Sequence, residues 1–137
     1  MTRNNKILAM KSVCWAGCAA DALWTVALAW PELYGVLTGQ TRVDIDLEWR
    51  LILGVAASLM AGWTSLLAWA AQDPVERRMV MALTAMPVLI GLIAVAVTGI
   101  VFGDSGALWI LIKCCLLFTA MAWGWMTARG IAREKVR

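Results

Sequence analysis

The sequence predicts an all-α membrane protein in which four transmembrane helices form one antiparallel up-down bundle with both termini in the cytoplasm. Three observations predict it. Hydrophobic residues make up 62% of the 137-residue chain and mean hydropathy is +0.76, whereas soluble domains hold roughly 45–50% apolar residues. Four apolar runs, at residues 13–30, 49–71, 79–102 and 107–127, each have about the 20 residues that cross ~30 Å of hydrocarbon at ~1.5 Å per residue. Basic residues are also distributed unevenly between them. Arg3, Lys6, Lys11, Arg77, Arg78, Arg129, Arg133, Lys135 and Arg137 fall on one side, against Arg42, Arg50 and Lys113 on the other, and the positive-inside rule makes the richer side cytoplasmic. The whole chain, residues 1–137, is then one domain, expected in the bacterial inner membrane.

The first run follows three basic residues and so has the outline of a signal peptide. Asp21 interrupts it and no small-x-small cleavage site follows, so it is read as a retained span. A carboxylate near mid-membrane costs roughly 2.5–3.5 kcal/mol on insertion scales and must be neutralised, paired or used. Gly17, Asp21 and Thr25 share one helical face, which should point into the bundle. Lys113 in the fourth span lies within ~5 Å of Asp21 in depth by helical rise. Side chains lean toward their helix N-terminus, which aims the two residues apart. Three readings of Lys113 follow: an ion pair with Asp21, snorkelling to outer headgroups, or ligand binding, with snorkelling favoured. For Asp21 the simplest expectation is a protonated carboxyl hydrogen-bonded to a neighbouring helix.

The outer loop, residues 31–48, opens with turn-forming Pro31, Gly35 and Gly39. It closes with the alternation Val43, Asp44, Ile45, Asp46, Leu47 and Glu48, which predicts an extended strip with its acids in water. Glu32 and Arg50 form a candidate outer pair. Arg50 is read as an interface anchor, or alternatively as a clamp for an anionic headgroup or ligand. In the second span Gly54, Ser58 and Gly62 recur every four residues, a small-residue stripe that lets another helix backbone approach within a compact bundle.

In the short segment 72–78, Asp73 to Pro74 reads as a turn or a helix start, with Pro74 at the first helical position and Glu76 near its positive end. In the third span Pro87 removes a backbone donor and predicts a kink. A tight turn at residues 103–106 leads into the fourth span. Trp30, Trp49 and Trp109 are expected at the outer interface, and Trp15, Trp69, Trp123 and Trp125 near the inner one. Trp24 and Trp63 lie deeper, where each indole N–H needs a partner or a cavity.

Composition excludes several function classes. The chain has no His, which removes imidazole metal sites, His-ligated haem and any base that titrates unshifted near neutrality. Cys14, Cys18, Cys114 and Cys115 form no CxxC pair, and the i, i+4 spacing of the first two is unsuited to a disulfide. They are read as packing residues. A net charge of +3 without a basic cluster gives no nucleic-acid surface. No catalytic set, metal site or cofactor is expected. The expected partners are the lipid bilayer and either other subunits or further copies of the chain.

Trp30, Pro31 and Glu32 closing the first span, Glu48, Trp49, Arg50 and Gly54 opening the second, and Asp73, Pro74, Arg77 and Arg78 after it resemble small four-helix DoxX-like membrane proteins. The resemblance covers roughly residues 20–99 and implies a four-helix membrane fold. Some such proteins are linked to quinone-dependent oxidation complexes, but the resemblance carries no catalytic residues with it. Small multidrug-resistance transporters share the length, the four spans and a lone carboxylate in the first. The residues around Asp21 do not reproduce their signature, so that likeness is architectural.

Three function classes remain. The first and favoured one is a structural or accessory subunit of a membrane complex without its own catalysis. The second is a proton-coupled small-molecule carrier that uses Asp21. The third is a membrane enzyme or a quinone- or lipid-binding protein, against which the lack of His and of clustered carboxylates or ligating cysteines argues.

Overall fold

The computed structural model describes residues 2–30, 33, 36, 46–103 and 106–134. Four helices are long and apolar enough to cross a membrane: α1 (Arg3–Ala29), α2 (Leu47–Gln72), α3 (Arg78–Val101) and α4 (Gly106–Glu134). No strand occurs among the described residues.

Local chemistry sets the ends of these helices. Trp30 adopts an extended conformation (φ −124°, ψ 95°) after α1, as a residue before proline tends to do. Asp46 caps α2 by accepting a hydrogen bond from the Trp49 N–H at 2.9 Å, and Glu48 sits in the first turn, where negative charge favours the helix dipole. This corrects the extended strip expected over residues 43–48. Its last residues, Asp46, Leu47 and Glu48, are a helix cap and first turn, while residues 43–45 lie outside the described set. After α2 the Asp73 carboxylate accepts from the Glu76 N–H at 3.2 Å. Pro74 therefore belongs to the turn, and helix α3 begins only at Arg78. At its far end Gly103 takes φ +85°, the left-handed conformation that closes a helix with least strain in glycine.

Around Pro87, where a kink is expected, the backbone widens. Residues Thr84–Leu89 within α3 are π-helical and contain Pro87. Proline has no N–H and its ring crowds the carbonyl four residues back, so a wider turn relieves the clash.

Helix α1 begins well before the apolar run 13–30 and α4 ends well after the run 107–127, so that Lys6 and Lys11, and Arg129 and Arg133, are helical residues. Hydropathy detects the lipid-facing stretch but not its polar continuation.

Alternation of the helices is fixed by two close approaches. A Cβ on Gly17 of α1 would lie 2.7 Å from Met121 Cε of α4 and 3.4 Å from Leu67 Cδ1 of α2. One on Gly124 of α4 would lie 2.9 Å from Met81 Sδ of α3 and 4.0 Å from Met10 Cγ of α1. The N-terminal part of α1, the α2–α3 turn and the C-terminal part of α4 thus share one end, called the base below.

Met10, Met81 and Met121 are fully buried there, within a core that also holds Cys14, Cys18, Leu67, Ala70, Ala71, Val80, Ala85 and Leu89. Flexible thioethers fill the space that the two glycines open. Helix α1 packs on α2 and α4, and α3 packs on α4, whereas α2 meets α3 chiefly over residues Arg78–Leu83. Toward the other end the buried apolar residues outside this core are mostly small: Ala27, Leu53, Ala57, Ala96 and Ala107. The bundle is therefore tight at its base and loosely joined between α2 and α3 beyond it.

Exposed tryptophans mark two levels. Trp30, Trp49 and Trp109 are exposed at one end, and Trp15, Trp69 and Trp123 toward the base. Arg77 stacks on the Trp69 ring, 4.1 Å from its centroid, and also donates to the Trp69 carbonyl. Paired guanidinium and indole groups suit a membrane boundary, where one face is apolar and the other wet.

Candidate intramembrane polar site

Cys14, Gly17 and Cys18 form the buried face of α1, and Asp21 and Thr25 continue it as half-buried residues. The small polar stripe read from sequence does turn inward. The Thr25 hydroxyl donates to the backbone carbonyl of Asp21 at 2.8 Å, which occupies its only proton. Among the described residues the Asp21 carboxyl has no hydrogen-bond or ionic partner, and no enclosed side-chain oxygen or nitrogen is left unsatisfied. The carboxyl therefore sits at the rim of the core, half-buried. The hydrogen bond expected to a neighbouring helix is not among the contacts of the described residues.

Lys113 is exposed on α4, and no ion pair joins it to Asp21. Its neighbour Cys114 carries the buried position, so the helix turns the lysine off the core face. The structure brings Asp21 and Thr25 together and leaves Lys113 apart, on the exposed face of α4.

Arg50 is exposed in the first turn of α2, and its backbone N–H bonds the Asp46 carbonyl at 3.1 Å. Its expected partner Glu32 lies outside the described residues.

The stripe of Gly54, Ser58 and Gly62 requires a correction. All three are exposed, and a Cβ added at Gly54 or Gly62 would meet nothing within 4 Å. The Ser58 hydroxyl turns back to the Gly54 carbonyl at 3.0 Å. Among the described residues no helix uses the stripe. Helix α2 joins the bundle through Leu53, Ala57, Leu67, Ala70 and Ala71, and the glycines lie on another face.

Trp63 does find a partner. Its indole N–H donates to the Thr84 hydroxyl at 3.1 Å, and that hydroxyl donates to the Val80 carbonyl at 2.8 Å. Thr84, 2% exposed, is the buried polar residue of the described core and opens the π-helical segment. The relay joins α2 to α3 where the two begin to part. Trp24 is half-buried on α1.

Among the described residues no group of three His, Cys, Asp or Glu side chains is placed to hold a metal ion, and all four cysteines are free thiols, with Cys115 exposed.

A feature not singled out from sequence lies at the base, where the first turn of α3 and the last turns of α4 line an open cleft rich in arginine. Its α4 side was present in the sequence as Trp125, Arg129 and Arg133 at intervals of four, one helical face.

Comparison of the chain with protein-family models, with curated proteins and with solved structures finds no match. The likeness to DoxX-like proteins therefore rests on the residues quoted for it.

Proposed function

We propose that this protein is a structural or accessory subunit of a membrane complex, without catalysis of its own, seated in the bacterial inner membrane with both termini in the cytoplasm. One observation supports this above the others: among the described residues nothing covers the small-residue face of α2 at Gly54 and Gly62. In lipid, helices associate through close backbone packing, and small residues four apart are what permits it. The partner helix belongs to another subunit or to a second copy of the chain.

The test is a comparison of wild type with the Gly54→Leu/Gly62→Leu variant, each purified in mild detergent. Leucine has room at both positions in the isolated chain and favours helix, so the variant should fold. Wild type should carry one reproducible second subunit or second copy that the variant loses at unchanged thermal stability. A wild type that is a bare monomer, or a variant that keeps the partner, rejects the reading.

A second reading, a proton-coupled carrier of small molecules, is favoured by the unpaired, half-buried carboxyl of Asp21. It requires that Asp21→Asn abolish proton-linked uptake in proteoliposomes, and unaltered uptake removes it.

A further inference from the structure

From the cleft at the base of the bundle we infer a binding site for a phosphate-bearing anion, at the level where a phospholipid headgroup would sit. The cleft has a volume of about 970 Å³ and is lined by Arg78 and Met79 of α3 and by Trp125, Arg129, Arg133 and Glu134 of α4, with Ala132 between. Three guanidinium groups face one carboxylate, so the cleft is net cationic. This imbalance calls for an anion.

Two of the guanidinium groups are already held in place. Arg78 donates from Nη1 to the Val75 carbonyl at 3.1 Å, and Arg129 lies over the Trp125 ring with Cζ 5.6 Å from the centroid. Each retains further N–H donors, because guanidinium carries five in a fixed fork suited to phosphate oxygens. Arg133 is exposed one turn beyond Arg129, so the α4 pair can bracket a phosphate from one side while Arg78 approaches from the other helix. Indole and thioether surfaces from Trp125 and Met79 supply an apolar floor for the carbon attached to it.

Position strengthens the assignment. Met79 begins the apolar run of α3, and Trp125 lies near the end of that of α4. The cleft thus straddles the boundary between hydrocarbon and water. Basic pockets between transmembrane helices at this level take acidic lipid headgroups. A free phosphate monoester presents the same oxygens, so the chemistry is shared and the source is decided by experiment.

Delipidated protein in neutral detergent is titrated with dihexanoyl phosphatidylglycerol, dihexanoyl phosphatidylcholine and inorganic phosphate, with thermal unfolding as readout. Arg78→Gln/Arg129→Gln/Arg133→Gln is compared with Arg3→Gln/Lys6→Gln/Lys11→Gln, which removes equal charge at the same end outside the cleft. Arg129→Gln/Arg133→Gln, both at exposed positions, serves if loss of the Arg78 bond impairs folding. The inference expects stabilisation by the glycerol lipid over the choline lipid. Apparent affinity should fall about ten-fold for each cleft arginine removed, as loss of a charge-assisted hydrogen bond predicts. The control variant should stay near wild type. The same pattern with inorganic phosphate, and no added effect of the lipid, keeps the site and assigns it a soluble ligand. Equal response to both lipids without a phosphate effect, or equal weakening in the cleft and control variants, overturns the inference.

Discussion

Replacing Asp21 by Asn shows what its carboxyl contributes to the fold. In the bundle it is half-buried and without a hydrogen-bond or ionic partner among the described residues, and the nearby Thr25 proton is committed to a backbone carbonyl. Breaking a buried ion pair costs about 3–5 kcal/mol, and losing a hydrogen bond to a charged group costs about 1.5–3 kcal/mol. Neither interaction is present to be lost, and the amide has the shape of the carboxyl. Asp21→Asn should therefore destabilise by no more than about 0.5 kcal/mol, and removal of the carboxylate's desolvation cost acts in the stabilising direction. Lys113→Gln should be equally mild, because Lys113 is exposed and unpaired. The assay is reversible unfolding in mixed micelles, run on both single variants and the double variant to close a cycle. Coupling should vanish within about 0.5 kcal/mol. A loss above about 2 kcal/mol for Asp21→Asn, with coupling above about 1 kcal/mol to Lys113, would show that the two charges meet and would refute the reasoning.

Three further outcomes are expected from the packing. Gly124→Ala should destabilise by about 1–3 kcal/mol through overpacking, since its Cβ would sit 2.9 Å from the mid-chain sulfur of a fully buried methionine; Gly130→Ala, with open space around it, should instead gain up to about 1 kcal/mol of helix propensity, and the same unfolding titration reads both. Thr84→Val and Trp63→Phe should couple by about 0.5–1.5 kcal/mol, the range of interhelical hydrogen bonds in membranes, and independent effects would mean that the bond of the Trp63 indole carries no stability. An apolar maleimide should label Cys115 in the folded protein, with Cys14, Cys18 and Cys114 labelled only after unfolding, as mass spectrometry would count; early labelling of Cys14 would contradict the buried base.

Much of the bundle was legible because lipid imposes a simple requirement, about 20 apolar residues per crossing. The inward face of α1 was legible as well, since Gly17, Asp21 and Thr25 are out of place on a lipid-facing surface. Helix ends were not, because Lys6 and Arg133 continue helices whose polar turns no hydropathy run includes. At Asp46 the alternation of Val43 to Glu48 concealed a stronger signal, a capping aspartate three residues before Trp49. Which helix the α2 glycines meet was not legible for a different reason. Small residues state that a backbone can come close, not which backbone does, and only the placement of α1 and α3 shows that neither occupies that face. The partner of Trp63 likewise depends on which turn of α3 meets α2, and the cleft depends on Arg78 meeting α4 across the base. Both are tertiary facts with no local signature.

The weak seam between α2 and α3 has a mechanical consequence. With the two helices fastened at their turn and by the Trp63 to Thr84 bond, but sparsely in contact above it, a change in the angle between them breaks few contacts, while the methionine core beneath stays closed. The wide turn of backbone around Pro87 lies next to that fastening point and supplies compliance there. Among the described residues the α2–α3 pair is thus fastened at one end only, and its angle is set by that end rather than by packing along its length.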